Sequence, residues 1–180
     1  MSILKTDQVQ TTGGKTILKS TGGIIQVKQS VETQPRTATS GNFHASGGNN
    51  FAAFADIPGA LSVDIAPSSS DNKILVSYHL YIGGNNSVTY LRLLRDSTGL
   101  AIPSGVTNGS TGVNFVTTAS NGFMTTNSFQ FLDSPNTTNT VTYKLQWASN
   151  TVLTLYLNRF PGDANSYIGS SSITVMEVSA

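Results

Sequence analysis

The 180-residue chain has a formal net charge of +1 and holds 23 Ser, 23 Thr, 15 Asn and 17 Gly, together 78 residues, against only 11% charged residues. A surface solvated by hydroxyls and amides, with few strong helix formers, excludes a helical bundle and favours strands joined by turns. Without any cysteine, disulfides and thiolate metal sites are excluded, and no apolar run approaches the length of a membrane-spanning helix.

Residues 1–36 differ electrostatically from the rest. Lys5, Lys15, Lys19, Lys28 and Arg36 against Asp7 and Glu32 leave +3 there, and five cations against seven anions leave −2 in 37–180. Gly pairs punctuate short apolar stretches in this segment: Thr12-Gly13-Gly14-Lys15, then Ile17-Leu18, then Gly22-Gly23 and Ile24-Ile25. Such an arm buries little by itself and needs a body, a partner or a copy of itself to lie against. Ile17, Leu18, Ile24 and Ile25 are the residues expected to be buried in assembly. Gly14-Lys15-Thr16 mimics the end of a phosphate-binding loop, but Val9 stands where the first glycine is required. The chain is thus divided into an arm, 1–36, and a head, 37–180.

Residues 35–59 look irregular, with Phe43, Phe51 and Phe54 expected as packing under a loop. Clear alternation follows. Leu61, Val63 and Ile65 predict one strand, and Ile74, Val76, Tyr78, Leu80 and Ile82 predict another, ended by Gly83-Gly84-Asn85-Asn86. Tyr90–Arg95 has apolar residues on both faces. Residues 97–128 read as loops with short strands, and a further strand begins at Phe129 and Phe131. Val141, Tyr143, Leu145 and Trp147 alternate strictly, Leu153, Leu155 and Leu157 form one face of the next strand, and Ile173, Val175 and Val178 close the chain. That last strand reads as apolar on two sides and suited to a central sheet. The fold class expected is all-β: an antiparallel β-sandwich or jelly roll with an extended N-terminal arm.

The side chains available for catalysis are few. His44 and His79 are the only histidines, and His79 falls on the polar face of its strand. Glu32 and Glu177 lie near opposite ends of the chain, while the aspartates mostly sit beside turn residues, where they accept backbone N–H bonds. No enzyme, cofactor or metal site is expected. The sparse basic residues lack aromatic interleaving, so nucleic acid is not an expected partner. The segment Met1–Asp7 carries no signal-peptide core, and assembly in a cytoplasm is expected.

The opening Ile3-Leu4-Lys5-Thr6-Asp7-Gln8-Val9-Gln10-Thr11-Thr12-Gly13-Gly14-Lys15 resembles the N-terminal segment of small structural and fibre proteins of tailed phages infecting aquatic bacteria. Leu93-Leu94-Arg95-Asp96, Phe131-Leu132-Asp133-Ser134-Pro135 and Ile173-Thr174-Val175-Met176-Glu177-Val178 are similar to the heads of those cyanophage-like proteins. The resemblance implies a virion component, trimeric, with an anchoring arm, a jelly-roll head and no catalytic residues. Two functions compete on this basis. One is a short fibre whose head loops bind a host-surface glycan, with Asn85, Asn86, Tyr90, Asn108, Asn121 and Tyr167 as contact residues. The other is a capsid decoration or cement protein whose arm contacts other virion proteins.

Overall fold

A computed structural model describes residues 8–10, 16–19, 22–43, 51–83, 88–102, 114–117, 123–162 and 169–180, with backbone only for 8–10, 16–19 and 114–117. Among them, β1 (Gln8–Gln10) and β2 (Thr16–Lys19) form a separate antiparallel hairpin with Val9 opposite Leu18. The remaining strands make a two-sheet antiparallel sandwich, as the alternation predicts.

The first sheet centres on β8 (Val88–Arg95) and β12 (Val141–Ser149), paired with Leu93 opposite Leu145 and Leu91 opposite Trp147. The outer edge of β12 is shared by β5 (Ala55–Asp56) and β6 (Ser62–Ile65). That of β8 is shared by β9 (Thr98–Leu100) and β10 (Asn114–Thr117). A two-residue turn joins β8 to β9, and Asp96 adopts φ 53° there. Its carboxylate accepts the Thr142 N–H at 2.9 Å, the turn role expected of the aspartates.

The second sheet centres on β7 (Lys73–Gly83), the longest strand. Along one edge runs β11 (Met124–Asp133). Along the other run β14 (Ser171–Val178) and then, end on, β13 (Thr154–Leu157). Outside these lie β3 (Ile24–Glu32), paired with β14, and β4 (Arg36–Thr39), paired with β13. The chain switches sheets at β4 to β5, β6 to β7, β7 to β8, β10 to β11, β11 to β12 and β12 to β13. The turn expected at Gly83–Asn86 therefore falls in a crossing between sheets, not in a hairpin.

The core lies between the sheets. Leu91, Leu93, Tyr143, Leu145 and Trp147 face Ile74, Val76, Leu80, Ile82, Leu155, Leu157, Ile173 and Val175, all of them buried. These are the inward positions of the alternating runs, so period-two patterning is what positions the sheets. A satellite cluster of Phe43, Phe54, Tyr90, Ala53 and Ala148 packs on the other face of the first sheet. Phe43 meets Phe54 edge-on at 5.4 Å between centroids, the packing expected of these phenylalanines.

Two expectations need correction. The segment 1–36 is not all arm: from Gly22 the chain is tied into the sandwich. Gly22 N–H donates to the Ser179 carbonyl, Ser179 N–H donates to the Gly23 carbonyl, each at 2.9 Å, and β3 then joins the second sheet. The last strand is apolar on two sides only in part: Ile173 and Val175 are buried beside Ser171 and Glu177, while Met176 and Val178 are half-buried on the outer face beside Ser172 and Thr174.

Candidate functional site

Sidedness on β3 is the reverse of an ordinary sandwich strand. Its register with β14 turns Gln26, Lys28, Ser30 and Glu32 toward the interior side, opposite Glu177, Val175, Ile173 and Ser171. There they close the open flank between the two sheets. Gln26 Nε2 donates to the Ala66 carbonyl at 2.9 Å, Lys28 Nζ donates to the Asp64 carbonyl at 3.0 Å, and the Ser30 hydroxyl donates to the Ala60 carbonyl. Every second side chain of one edge strand thus reaches carbonyls in and flanking the other sheet's edge strand, β6, which blunts that edge. The hydrophobic residues of β3 are left outside: Ile24, Ile25, Val27 and Val31 are 61%, 48%, 54% and 45% exposed.

They continue across the outer face of the second sheet. Val27 lies opposite Met176, Met176 opposite Leu75, and Leu75 opposite Leu132, in one row crossing four strands. Val27 and Leu132, at its two ends, are more than half exposed. On one side the next row is polar, Gln29, Thr174, Ser77 and Gln130, followed by Val31, Ser172, His79 and Ser128; on the other lie Ile24, Val178 and Lys73. His79 sits on this sheet surface, as expected, with Nδ1 at 2.5 Å from the Ser128 hydroxyl and its ring edge-on to Tyr81. A shallow groove of about 430 Å³ runs there between β7 and β11.

Beside the satellite cluster, the outer face of the first sheet carries a polar network. Lys144 Nζ donates to Asp56 at 3.0 Å, Gln146 Nε2 donates to the same carboxylate at 2.5 Å, and Arg92 Nε donates to the Gln146 side-chain carbonyl at 2.7 Å. The Arg92 guanidinium lies 4.5 Å from the Phe54 ring centroid. Burial pulls its pKa below the ordinary value, opposed by the nearby Asp56 charge. Burial would raise Asp56, but the bonds from Gln146 and Lys144 outweigh it and hold the carboxyl low. Beside this network, where β5 gives way to β6, a cleft of about 290 Å³ is lined by Asp56, Gly59, Ser62, Thr142 and Lys144.

The most buried acids serve the fold. Glu32 accepts the Gln34 and Ala60 N–H groups and pairs with Arg36 at 3.1 Å. Asp133 pairs with Arg95 at 2.7 Å and accepts the Tyr143 hydroxyl at 2.6 Å. Burial, reinforced by that Asp133 bond, pushes the Tyr143 phenol well above its ordinary range. Glu177 accepts four bonds, from Gln26, Asn72 and the Ser68 amide and hydroxyl. Glu32 and Glu177 are brought onto neighbouring strands, yet at positions along β14 about 20 Å apart at ordinary strand rise. Asp133 and Glu177 flank Ile74, with backbones roughly 10 Å apart. That approaches an acid–base spacing, but both are buried beneath the sheet and committed to their donors.

Of the expected contact residues, Tyr90 is 5% exposed with its ring 5.0 Å from Phe43. It packs in the satellite cluster and offers no stacking surface, a correction that follows from the outward side of β8 being covered by Phe43, Ala53 and Phe54. Asn85, Asn86, Asn108, Asn121, Tyr167 and His44 lie outside the described residues. Ile17 and Leu18 belong to β2, where only the backbone is described. Ile24 and Ile25 are exposed on either side of the bulge opposite Glu177 and Val178. Sequence reasoning missed Val27, Leu75, Leu132 and Met176, since their row exists only across paired strands. Among the described residues no group of three His, Asp or Glu is placed to hold a metal, and no helix is long and apolar enough to cross a membrane.

No protein-family model and no curated protein matches this chain. Solved structures similar to it include infectious bursal disease virus of the Gt strain, at 12% identity over 98% of this chain and 43% of that one, with a TM-score of 0.45. The Gx strain gives 12%, 98%, 43% and 0.44. The VP2 subviral particle of the same virus gives 11%, 98%, 42% and 0.41. This chain spans less than half the length of those chains, and the likeness is a loose one.

Proposed function

We propose that the chain is a virion structural protein of a tailed phage, a short trimeric fibre assembled in the host cytoplasm. In this reading the N-terminal segment, with Ile17 and Leu18, anchors it to other virion proteins. The loops carrying Asn85, Asn86, Asn108, Asn121 and Tyr167 meet a host-surface glycan. The observation that carries the reading is the contrast between the two outer faces. One bears an apolar, charge-poor row ending at exposed Val27 and Leu132, and the other a hydrogen-bonded polar network around Asp56. Exposed apolar rows of this kind mark surfaces covered in assembly. The body is already closed at Gly22 by its bonds to Ser179, which leaves residues 1–21 to work outside it. The resemblance of the opening residues to phage structural proteins supports the same division of labour.

The test has two parts. Removing residues 1–21 is expected to leave a folded head that no longer enters particles, and normal incorporation of the truncated protein would sink the anchoring role. Gold-tagged antibody on intact particles should label tail or fibre tips. Label spread over the shell would make the protein a decoration, and unlabelled particles would remove the virion reading.

A further inference from the structure

The geometry points to the outer face of the second sheet as a self-association surface, occupied by a second copy of this chain. This rests on the assembly reading and names the partner of that surface. The argument begins with charge. Of the side chains turned outward by β3, β14, β7 and β11, only Lys73 and His79 are basic, and none is acidic. A face meant for a different protein is matched by complementary charges, which steer the encounter and reject wrong partners. With Lys73 and His79 as its only basic groups and no acid, the face offers a partner no pattern of opposite charges to read and little to repel its own copy. What it does offer is the row Val27–Met176–Leu75–Leu132, apolar from end to end and therefore complementary to itself across a symmetry axis.

Size agrees with this occupant. Four strands by eight residues project to roughly 19 by 27 Å at ordinary sheet spacing, or about 500 Å² before side-chain relief is counted. A standard interface buries about 800 Å² of accessible surface per partner. The row also lies beside the point where the arm leaves the body, since Ile24 and Ile25 follow Gly22 directly after Gly23. Copies related by an axis running along the strands would bring their arms out at one end, as a shared anchor requires.

Sedimentation velocity on the full-length chain, together with light scattering, provides the test. The wild type is expected at a multiple of 18.9 kDa. Val27→Asp with Leu132→Asp, which places charges on exposed positions at both ends of the row, is expected to shift the mass to a single chain. The near-ultraviolet signal of buried Trp147 is expected to stay unchanged, reporting an intact core. Leu18→Asp in the arm and Asn139→Asp on an exposed turn are expected to leave the oligomer intact. A wild type that sediments as a single chain overturns the proposal, as does an oligomer that survives the double substitution or dissociates with Leu18→Asp alone. A dimer in place of a trimer supports this surface while removing the trimeric fibre, and particle labelling tests the virion reading separately.

Discussion

At Glu177 the chain buries a full negative charge and answers it with four donors. Burial alone would raise its pKa, but the bonds from Gln26, Asn72 and Ser68 together outweigh it and hold the carboxyl at about 2, against an ordinary 4.5. A depressed pKa in the folded state contributes stability above the unfolded pKa and loses it as pH falls through the folded value. Wild-type stability should therefore decline as pH drops from about 4.5 toward about 2. Glu177→Gln puts an N–H₂ among groups that are themselves donors, and an expected loss of about 2–3 kcal/mol at neutral pH follows. The gap between variant and wild type should narrow over the same acid range, because protonated Glu177 has lost its advantage too. Urea midpoints measured down the pH scale check both points, and a gap independent of pH would show that the charge is not what the donors hold. Glu32 and Asp56, also held low, share the acid limb and keep it from vanishing in the variant.

At the scale of elements, β3 is held by its polar side. Lys28→Met with Ser30→Ala removes two exposed donors from the carbonyls of Asp64 and Ala60, and an expected combined cost of about 1 kcal/mol follows, below the roughly 1 per bond of buried pairs. Gln29→Ala, one residue from each but on the outer face, loses only an exposed bond to Thr174 and should change stability by less than about 0.5 kcal/mol. Equal losses in thermal unfolding would mean that β3 is held from outside. This strand also shows where reading by pattern stops. The strands β6, β7, β12, β13 and β14 are legible because their inward residues are apolar and alternate. In β3 the sign of the pattern is inverted, so Ile24 and Ile25 read as arm residues seeking a partner and Val27 goes unread. Exposure is legible there, but membership of the sheet is not. Tyr90 is misread for a related reason: β8 is covered on both faces, and the cover comes from Phe43 and Phe54, distant in sequence. Glu32 has local donors in Gln34 and Arg36, but Glu177 gives no local signal, since its donors come from segments up to 151 positions away, as with Gln26.

At the scale of the molecule, one sandwich carries two outer faces that cannot serve the same purpose. Desolvating the first sheet's face would strip water from Lys144, Asp56 and Arg92, whose pairing in water is worth little, whereas desolvating the second releases water from a hydrocarbon row. Assembly should therefore cover the second face and leave the first wet. A lysine on each face makes this measurable. Lys73 belongs to the outer side of β7 and Lys144 to that of β12, and each is already bonded within its own chain, to Ser134 and to Asp56. Neither bond involves a second chain, so a difference in amine acetylation between states reports the interface. In the oligomer Lys73 should react several-fold more slowly than in the Val27→Asp, Leu132→Asp protein, while Lys144 reacts at one rate in both. Peptide mass spectrometry after brief labelling reads the two sites in one sample. Protection of Lys144 with Lys73 unchanged would place the contact on the polar face and reverse the orientation, whereas protection of Lys73 alone ties the apolar row to the assembled state.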